Sequence, residues 1–425
     1  MNKKRLLYQI LSALKYIAIA VVALFIAVGG GLAMKEYDIW IAISGNAGPD
    51  DDFNPITAVY QKWPQYSTRV LGFINYHHPR RLEEIQSAIG MSEVEANRLL
   101  AALQKCSLVR WDSEKGYQVT FAVFDDDVWT AFKPAMLGVA DTISQKIRDD
   151  ILPSLKARYE ESRLRSHEIP FGIVATLITG AFGLDESGIH ELQQHDLIRV
   201  TKKQPGDRNY VILSGARNST TRFPLYGIHS DTWNTVYYAT FGENAAMNRR
   251  RTEVRTLPNL VWNWQSTNAR KPEEVDNFVF SLSNVVRHFG NDWFSLSDLR
   301  KIVPNESSEI LLQEWTEYSL VEKKKDFYRI GFPVFSSREL EQFQKVTRDV
   351  GTAVLKIVQE SYPSFKEAYL KTNPSSHGVP LQDVLDLVYH HTYSLALDGI
   401  ISRHPDLRFS KEDDDLRYTG YAVLR

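Results

Sequence analysis

Residues 153–170, PSLKARYEESRLRSHEIP, are echoed by residues 363–380, PSFKEAYLKTNPSSHGVP, at a constant offset of 210. Pro153, Ser154, Lys156, Tyr159, Ser166, His167 and Pro170 recur unchanged. That is seven positions of eighteen, where chance pairing gives about one or two. A second echo joins 107–124, SLVRWDSEKGYQVTFAVF, to 319–335, SLVEKKKDFYRIGFPVF. The chain is therefore an internal duplication, and its fold must be assembled from two related halves.

The order of local signals within the first copy is readable. RVLGFINYHH, from Arg69, is apolar at helical spacing, and Leu82, Ile85 and Ile89 mark a second short helix. Gly90-Met91 is a turn, and Ser92 suits the N-cap of a third helix with Val94, Leu99, Leu100 and Leu103 inward. Beyond a turn at Ser113–Gly116, Tyr117, Val119, Phe121 and Val123 alternate with Gln118 and Thr120, which is strand period. The second copy starts near Asp276 with helices over 278–289, 295–303 and 307–319 and a hairpin over Val321–Phe335. Three helices followed by a two-stranded hairpin resembles the winged-helix variant of helix-turn-helix.

The connecting stretches read as long helices. Asp125–Asp127 and Ser336-Ser337 stand at matching starts, where carboxylates and hydroxyls accept free N–H groups. Ser230-Asp231-Thr232, after Phe223–Tyr226, is a third such signal. Pro153 and Pro363 predict a kink or restart in both. Residues 167–215 read as another winged-helix unit, with helices over 173–182 and 189–198 around Gly183-Leu-Asp-Glu and a hairpin over Arg199–Leu213. An excursion follows, with a strand over 222–228, a helix from Trp233, the run Arg249–Arg251, then Trp262 and Trp264. A last unit places a helix over 381–401 before a hairpin around Glu412–Asp415.

Residues 16–34, YIAIAVVALFIAVGGGLAM, carry no charge. As a helix they span about 28 Å, the thickness of a bilayer core. Lys3, Lys4, Arg5 and Lys15 precede them, and Glu36, Asp38 and Asp50–Asp52 follow. The positive-inside rule then predicts a single-pass membrane protein with its N-terminus cytoplasmic and its bulk outside. The opposite topology and a cleaved signal peptide, with apolar core Ile17–Val28 and small residues Gly31 and Ala33, are the competing readings. Ala23, Ala27 and Gly31 share one helix face and suit self-association into a homodimer. Tyr37 and Trp40 suit the membrane interface.

The expected fold is mainly α with small β-hairpin wings, an N-terminal transmembrane helix and tandem winged-helix units joined by long helices. Its segments are 1–35 (flank and span), 36–65 (linker), 66–124 (unit 1), 125–166 (connecting helix), 167–275 (unit 2 with the excursion), 276–335 (unit 3), 336–376 (connecting helix) and 377–425 (unit 4).

The chain contains no Gly-rich phosphate loop, His-Glu-x-x-His or Gly-x-Ser-x-Gly, and Cys106 is its one cysteine. His77-His78 and His390-His391 are adjacent pairs, a poor chelate on a helix, and read as loop or surface. No catalytic residue, cofactor or metal is assigned. DNA binding is disfavoured by the acidic third helices: Glu93 and Glu95 beside Asn97 and Arg98, then Glu306, Glu309, Glu314 and Glu317. The middle unit offers Asp185, Glu186 and Glu191. A carboxylate facing phosphate forfeits the attraction that dominates affinity. Beyond residue 35 the chain holds 45 bases against 52 acids. The basic wings are the counter-signal: Lys202, Lys203 and Arg208, then Lys323, Lys324 and Lys325, with Arg249, Arg250 and Arg251 as a further cluster able to touch phosphate or a partner. The expectation is a non-catalytic, membrane-anchored scaffold, adaptor or sensor for a protein partner; a membrane-tethered DNA-binding regulator is the alternative.

Overall fold

The structure, a computed structural model, describes residues 38–46, 59, 61–79, 81–199, 202–204, 208–243, 256–303, 305–404, 407 and 417–424. In chain order the first repeat runs β1 (Ile39–Asn46), α1 (Ser67–His77), α2 (Leu82–Ile89), α3 (Glu93–Lys105), β2 (Val109–Asp112), β3 (Gly116–Val119), α4 (Asp126–Lys146), a π-turn (Ile147–Ile151), α5 (Leu152–Glu160), α6 (Arg163–Ser166), α7 (Phe171–Thr176), a π-helical run (Leu177–Ser187), α8 (Gly188–Gln194), β4 (Lys202–Gln204) and β5 (Arg208–Ala216). The second runs β6 (Tyr226–Trp233), β7 (Val236–Glu243), α9 (Leu257–Thr267), α10 (Pro272–Phe289), β8 (Phe294–Ser295), α11 (Leu296–Leu299), α12 (Asn305–Glu317), β9 (Val321–Lys324), β10 (Phe327–Ile330), β11 (Val334–Phe335), α13 (Ser337–Tyr369), α14 (Asn373–Ser376), α15 (Leu381–Arg403) and β12 (Tyr418–Leu424).

Two compact units form. One takes Met1–Phe132, Arg199–Thr221 and Lys366–Val384; the other takes Lys133–Ile198, Arg222–Phe365 and Leu385–Arg425. In the first, α1 stops where His78 turns left-handed at φ 47°, and α2 stops at Gly90, φ 74°. Ser92 accepts the Glu95 N–H at 3.3 Å and donates its hydroxyl to the Glu95 carboxylate at 2.8 Å, the N-cap that starts α3. Ala96, Leu99, Leu100 and Leu103 line its inner face and pack with Leu71, Ile74 and Ile85. Val94, expected inward, lies about 170° from that face and is exposed. Asp112 accepts the Glu114 and Lys115 N–H groups at 2.9 Å and closes the β2–β3 turn. In the second unit Phe278, Leu282, Leu299, Trp315 and Ile330 form the corresponding core, and β8, β10 and β9 make a three-stranded sheet.

Each repeat closes on itself through a strand pair that the sequence echo did not show. β1 pairs antiparallel with β5, Ile39 opposite Ala216, and β7 pairs antiparallel with β12, Val236 opposite Leu424. The chain leaving each hairpin joins the same strand in parallel: Phe124 bridges Gly215, and Phe335 pairs with Val423. The duplication therefore extends from β1 to β5 and from β7 to β12.

Several expectations are corrected. No helix among the described residues is long and apolar enough to cross a membrane, which overturns the transmembrane element of the fold and the single-pass placement. The stretch 16–34, with Ala23, Ala27 and Gly31, lies outside the described residues. Part of the 36–65 linker is strand β1, and Trp40 sits on it opposite Gly215. The unit expected over 167–215 has no break at Gly183: the helix continues from Phe171 to Gln194, widened to π-helix over Leu177–Ser187. Gly180 explains the close approach there, since a Cβ would stand 2.5 Å from the Phe241 ring. Its hairpin, β4–β5, is part of the β1 sheet. The helix expected from Trp233 is instead the β6–β7 hairpin, turned by Asn234 and Thr235 at φ 47° and 64°. The last segment contributes the single strand β12 to that sheet; residues 408–416 lie outside the described residues. Pro363 is carried inside α13, whereas Pro153 opens α5 just after the π-turn.

Candidate functional site

The third helix and hairpin of each repeat present the same kind of surface. On α3, Glu93, Glu95, Asn97 and Arg98 are exposed. On α12, Glu309 pairs with Arg300, Glu314 takes Arg270 through both oxygens at 3.2 Å, and Glu317 accepts from Gln313 at 2.8 Å. Among these carboxylates stand uncovered apolar side chains: Val94 is 59% exposed and Ile310 63%. The hairpins add Trp111 at 50% and Phe327 at 53%. Lys323, Lys324 and Lys325 are exposed at the β9–β10 tip, with Lys323 Nζ 5.4 Å from the Tyr328 ring and Lys324 Nζ 5.8 Å from that of Trp293. Lys202 and Lys203 lie on β4 and Arg208 begins β5. Arg249, Arg250 and Arg251 lie outside the described residues.

A second arrangement links each hairpin to a repeated linker. Arg110 donates through Nε to Gln118 at 3.1 Å and through Nη2 to the His377 carbonyl. Arg329 donates through Nε to Glu322 at 2.9 Å and through Nη1 to the His167 carbonyl at 2.7 Å. His377 is fully buried: its ring stacks on His78 at 4.0 Å, and its Nε2 lies 2.7 Å from the Asn75 carbonyl. Burial pulls the His377 imidazole down to about 4, so it is neutral. In the other unit the corresponding contact places His167 Nδ1 3.4 Å from the Asp292 carboxylate.

The third arrangement is a buried polar cluster on the π-helical run and α15. Asp185 is 8% exposed, and burial pushes its carboxyl up to about 6 against the opposing pull of His390. Burial pulls the His390 imidazole down, but the Asp386 and Asp185 carboxylates more than offset this, and it sits above its ordinary value. His391 donates from Nδ1 to the Pro224 carbonyl at 2.9 Å and is held down to about 4 by burial. The adjacent histidines are therefore part of a helix interior, not the loop or surface expected, because α15 is covered on most sides. Tyr226 and Arg417 converge on Asp398 at 2.5 and 2.6 Å. A π-helical insertion carrying a carboxylate at an energetic cost is a recurrent mark of function. Beside it opens a groove of about 740 Å³, floored by Ile178, Phe182, Leu340 and Val423 and rimmed by Glu186 and Arg348.

Asp125 and Asp126 hold structure. Asp125 accepts the Val128 N–H at 2.9 Å, the cap expected of it. Asp126 gathers the Thr220 and Thr221 N–H groups at 3.0 and 2.7 Å and the Ser219 hydroxyl at 2.7 Å, bonds that keep its carboxyl well below the usual range. Among the described residues no group of three or more His, Cys, Asp or Glu is placed to hold a metal ion. Comparison with family models, with curated proteins and with solved structures finds no match for this chain.

Proposed function

We propose that this chain is a non-catalytic scaffold or adaptor, two helix–hairpin units of winged-helix type that dock a protein partner through the third helix and hairpin. The observation that carries this reading is the exposure of Val94 and Trp111 in one repeat and Ile310 and Phe327 in the other. Large apolar side chains left uncovered and rimmed by polar ones mark protein-binding faces, and aromatics dominate their energetics. The carboxylates beside Val94 and Ile310 act against phosphate, so a protein surface suits the third helices better than a duplex.

The test is site-specific photo-crosslinking of the full chain in its native cells, with a photoreactive side chain at position 111 or 327 and at the exposed control position Lys356. Discrete protein adducts from 111 and 327, absent from 356, are expected. Nucleic-acid adducts from position 327, beside the Lys323–Lys325 tip, or no adduct beyond the control, would contradict the reading.

A further inference from the structure

The linker contacts are exchanged between the repeats. The first repeat's hairpin holds the second repeat's linker (Arg110 to His377), and the second repeat's hairpin holds the first's (Arg329 to His167). Yet each repeat closes its own sheet, β1 on β5 and β7 on β12. We infer that the Ser-His-x-x-Pro linker is a docking segment read by the hairpin of the other repeat, so that each repeat is the binding partner the other requires.

The linkers are built to present that carbonyl. Tyr159 donates to the Ile169 carbonyl at 2.7 Å, and Tyr369 to Val379 at 2.6 Å. Ser162 and Thr372 donate back to the Tyr159 and Tyr369 carbonyls at 2.8 and 2.6 Å. Ser166 and Ser376 close the next turn at 2.7 and 2.8 Å. The residue after each histidine is left-handed, Glu168 at φ 57° and Gly378 at φ 64°. A loop held in this way by its own side chains loses little freedom on docking.

The hairpins are built to read it. Arg110 stands opposite Gln118, and Glu322 opposite Arg329, at the same step of the two ladders. The arginine thus comes from the first strand in one repeat and from the second strand in the other, and both reach a histidine carbonyl. The end of the first long helix contributes a second contact in each case, His78 on His377 and Asp292 on His167. Each compact unit accordingly contains chain from both repeats.

The experiment uses the full chain with a protease site inserted between Thr221 and Arg222. After cutting, the two fragments are expected to elute together as one particle with the mass of the intact chain. Arg110→Ala with Arg329→Ala is expected to raise the dissociation constant of the cut chain by at least about tenfold. If that double variant does not fold before cutting, Arg110→Lys and Arg329→Lys serve the same comparison, since they keep stem and charge but lose the planar fork. Fragments that separate into two folded monomers, or variants that part no more readily than the parent, would overturn the inference.

Discussion

Arg329 donates to the carbonyl of His167, 162 residues earlier, at 2.7 Å, while its Nε holds Glu322 across the hairpin at 2.9 Å. The arginine is 7% exposed, so removing it strands a partly buried carboxylate and a carbonyl together. Arg329→Ala is expected to destabilise by about 2–4 kcal/mol. Arg110 is exposed, and its alanine variant should cost about 1 kcal/mol. Urea unfolding, with hydrogen exchange over 166–170 and 376–380 to assign each loss to its linker, checks the ordering. Equal losses for the two variants would count against it.

The His377 clamp should respond to acid. His377 is neutral in the folded chain down to about 4, whereas an unfolded histidine takes its proton near 6.5. Its contribution is intact above about pH 6.5 and is lost as pH falls toward 4, by up to about 1.4 kcal/mol per pH unit. Hydrogen exchange over 376–380 should accelerate between pH 6.5 and 4.5. His377→Gln should flatten that dependence, and an unchanged slope in the variant would remove the assignment.

Asp185 works with the opposite sign. Its folded value of about 6 lies above that of an unfolded aspartate, so the native chain holds the extra proton between about pH 4 and 6. Above that window the ionised buried carboxylate costs stability; below it the cost disappears. Asp185→Asn should therefore stabilise by about 1–3 kcal/mol at pH 7.5 and by close to nothing at pH 4. A destabilised variant at pH 7.5 would contradict this and show that the ionised carboxylate is a net stabiliser through His390.

Gly180 allows the π-helical run to lie against β7. A methyl group there meets Phe241 ring carbons at 2.5 and 2.8 Å. Gly180→Ala should cost about 1–3 kcal/mol by overpacking, despite alanine's better helix propensity. Thermal unfolding reads this directly, and a rise in midpoint would contradict it.

Local patterns were legible where they are self-contained. α1–α3 and the β2–β3 hairpin follow from the apolar period, Gly90 and the Ser92 cap, and α13 from the Ser336-Ser337 start, although it carries Pro363 without the predicted restart. Long-range pairing was not. Ile39–Asn46 alternates over a few residues only, and its partner β5 is far along the chain. Asp185 looked like part of a turn because Gly183 precedes it, but Gly180 and Gly183 are there for close approach to Phe241 and Val350. Asp386 and His390, four apart, were a readable signal on α15 that the adjacent pair His390-His391 obscured. The echo exposed His167 and His377 as repeated residues. It could not say which repeat's hairpin each one meets, because identical motifs are equally suited to docking in either copy.

That last point is the one to measure. Arg163 and Asp292 approach to 3.9 Å, one on the first linker and the other in the second repeat, and both side chains are exposed. Arg163→Cys with Asp292→Cys, in a Cys106→Ala background, can be joined by a short bis-maleimide in the full chain. Cutting between Thr221 and Arg222 then gives the answer on a denaturing gel. Exchange between the repeats predicts that the two fragments remain covalently joined. Two separate fragments would mean that the first repeat's linker is not held by the second repeat.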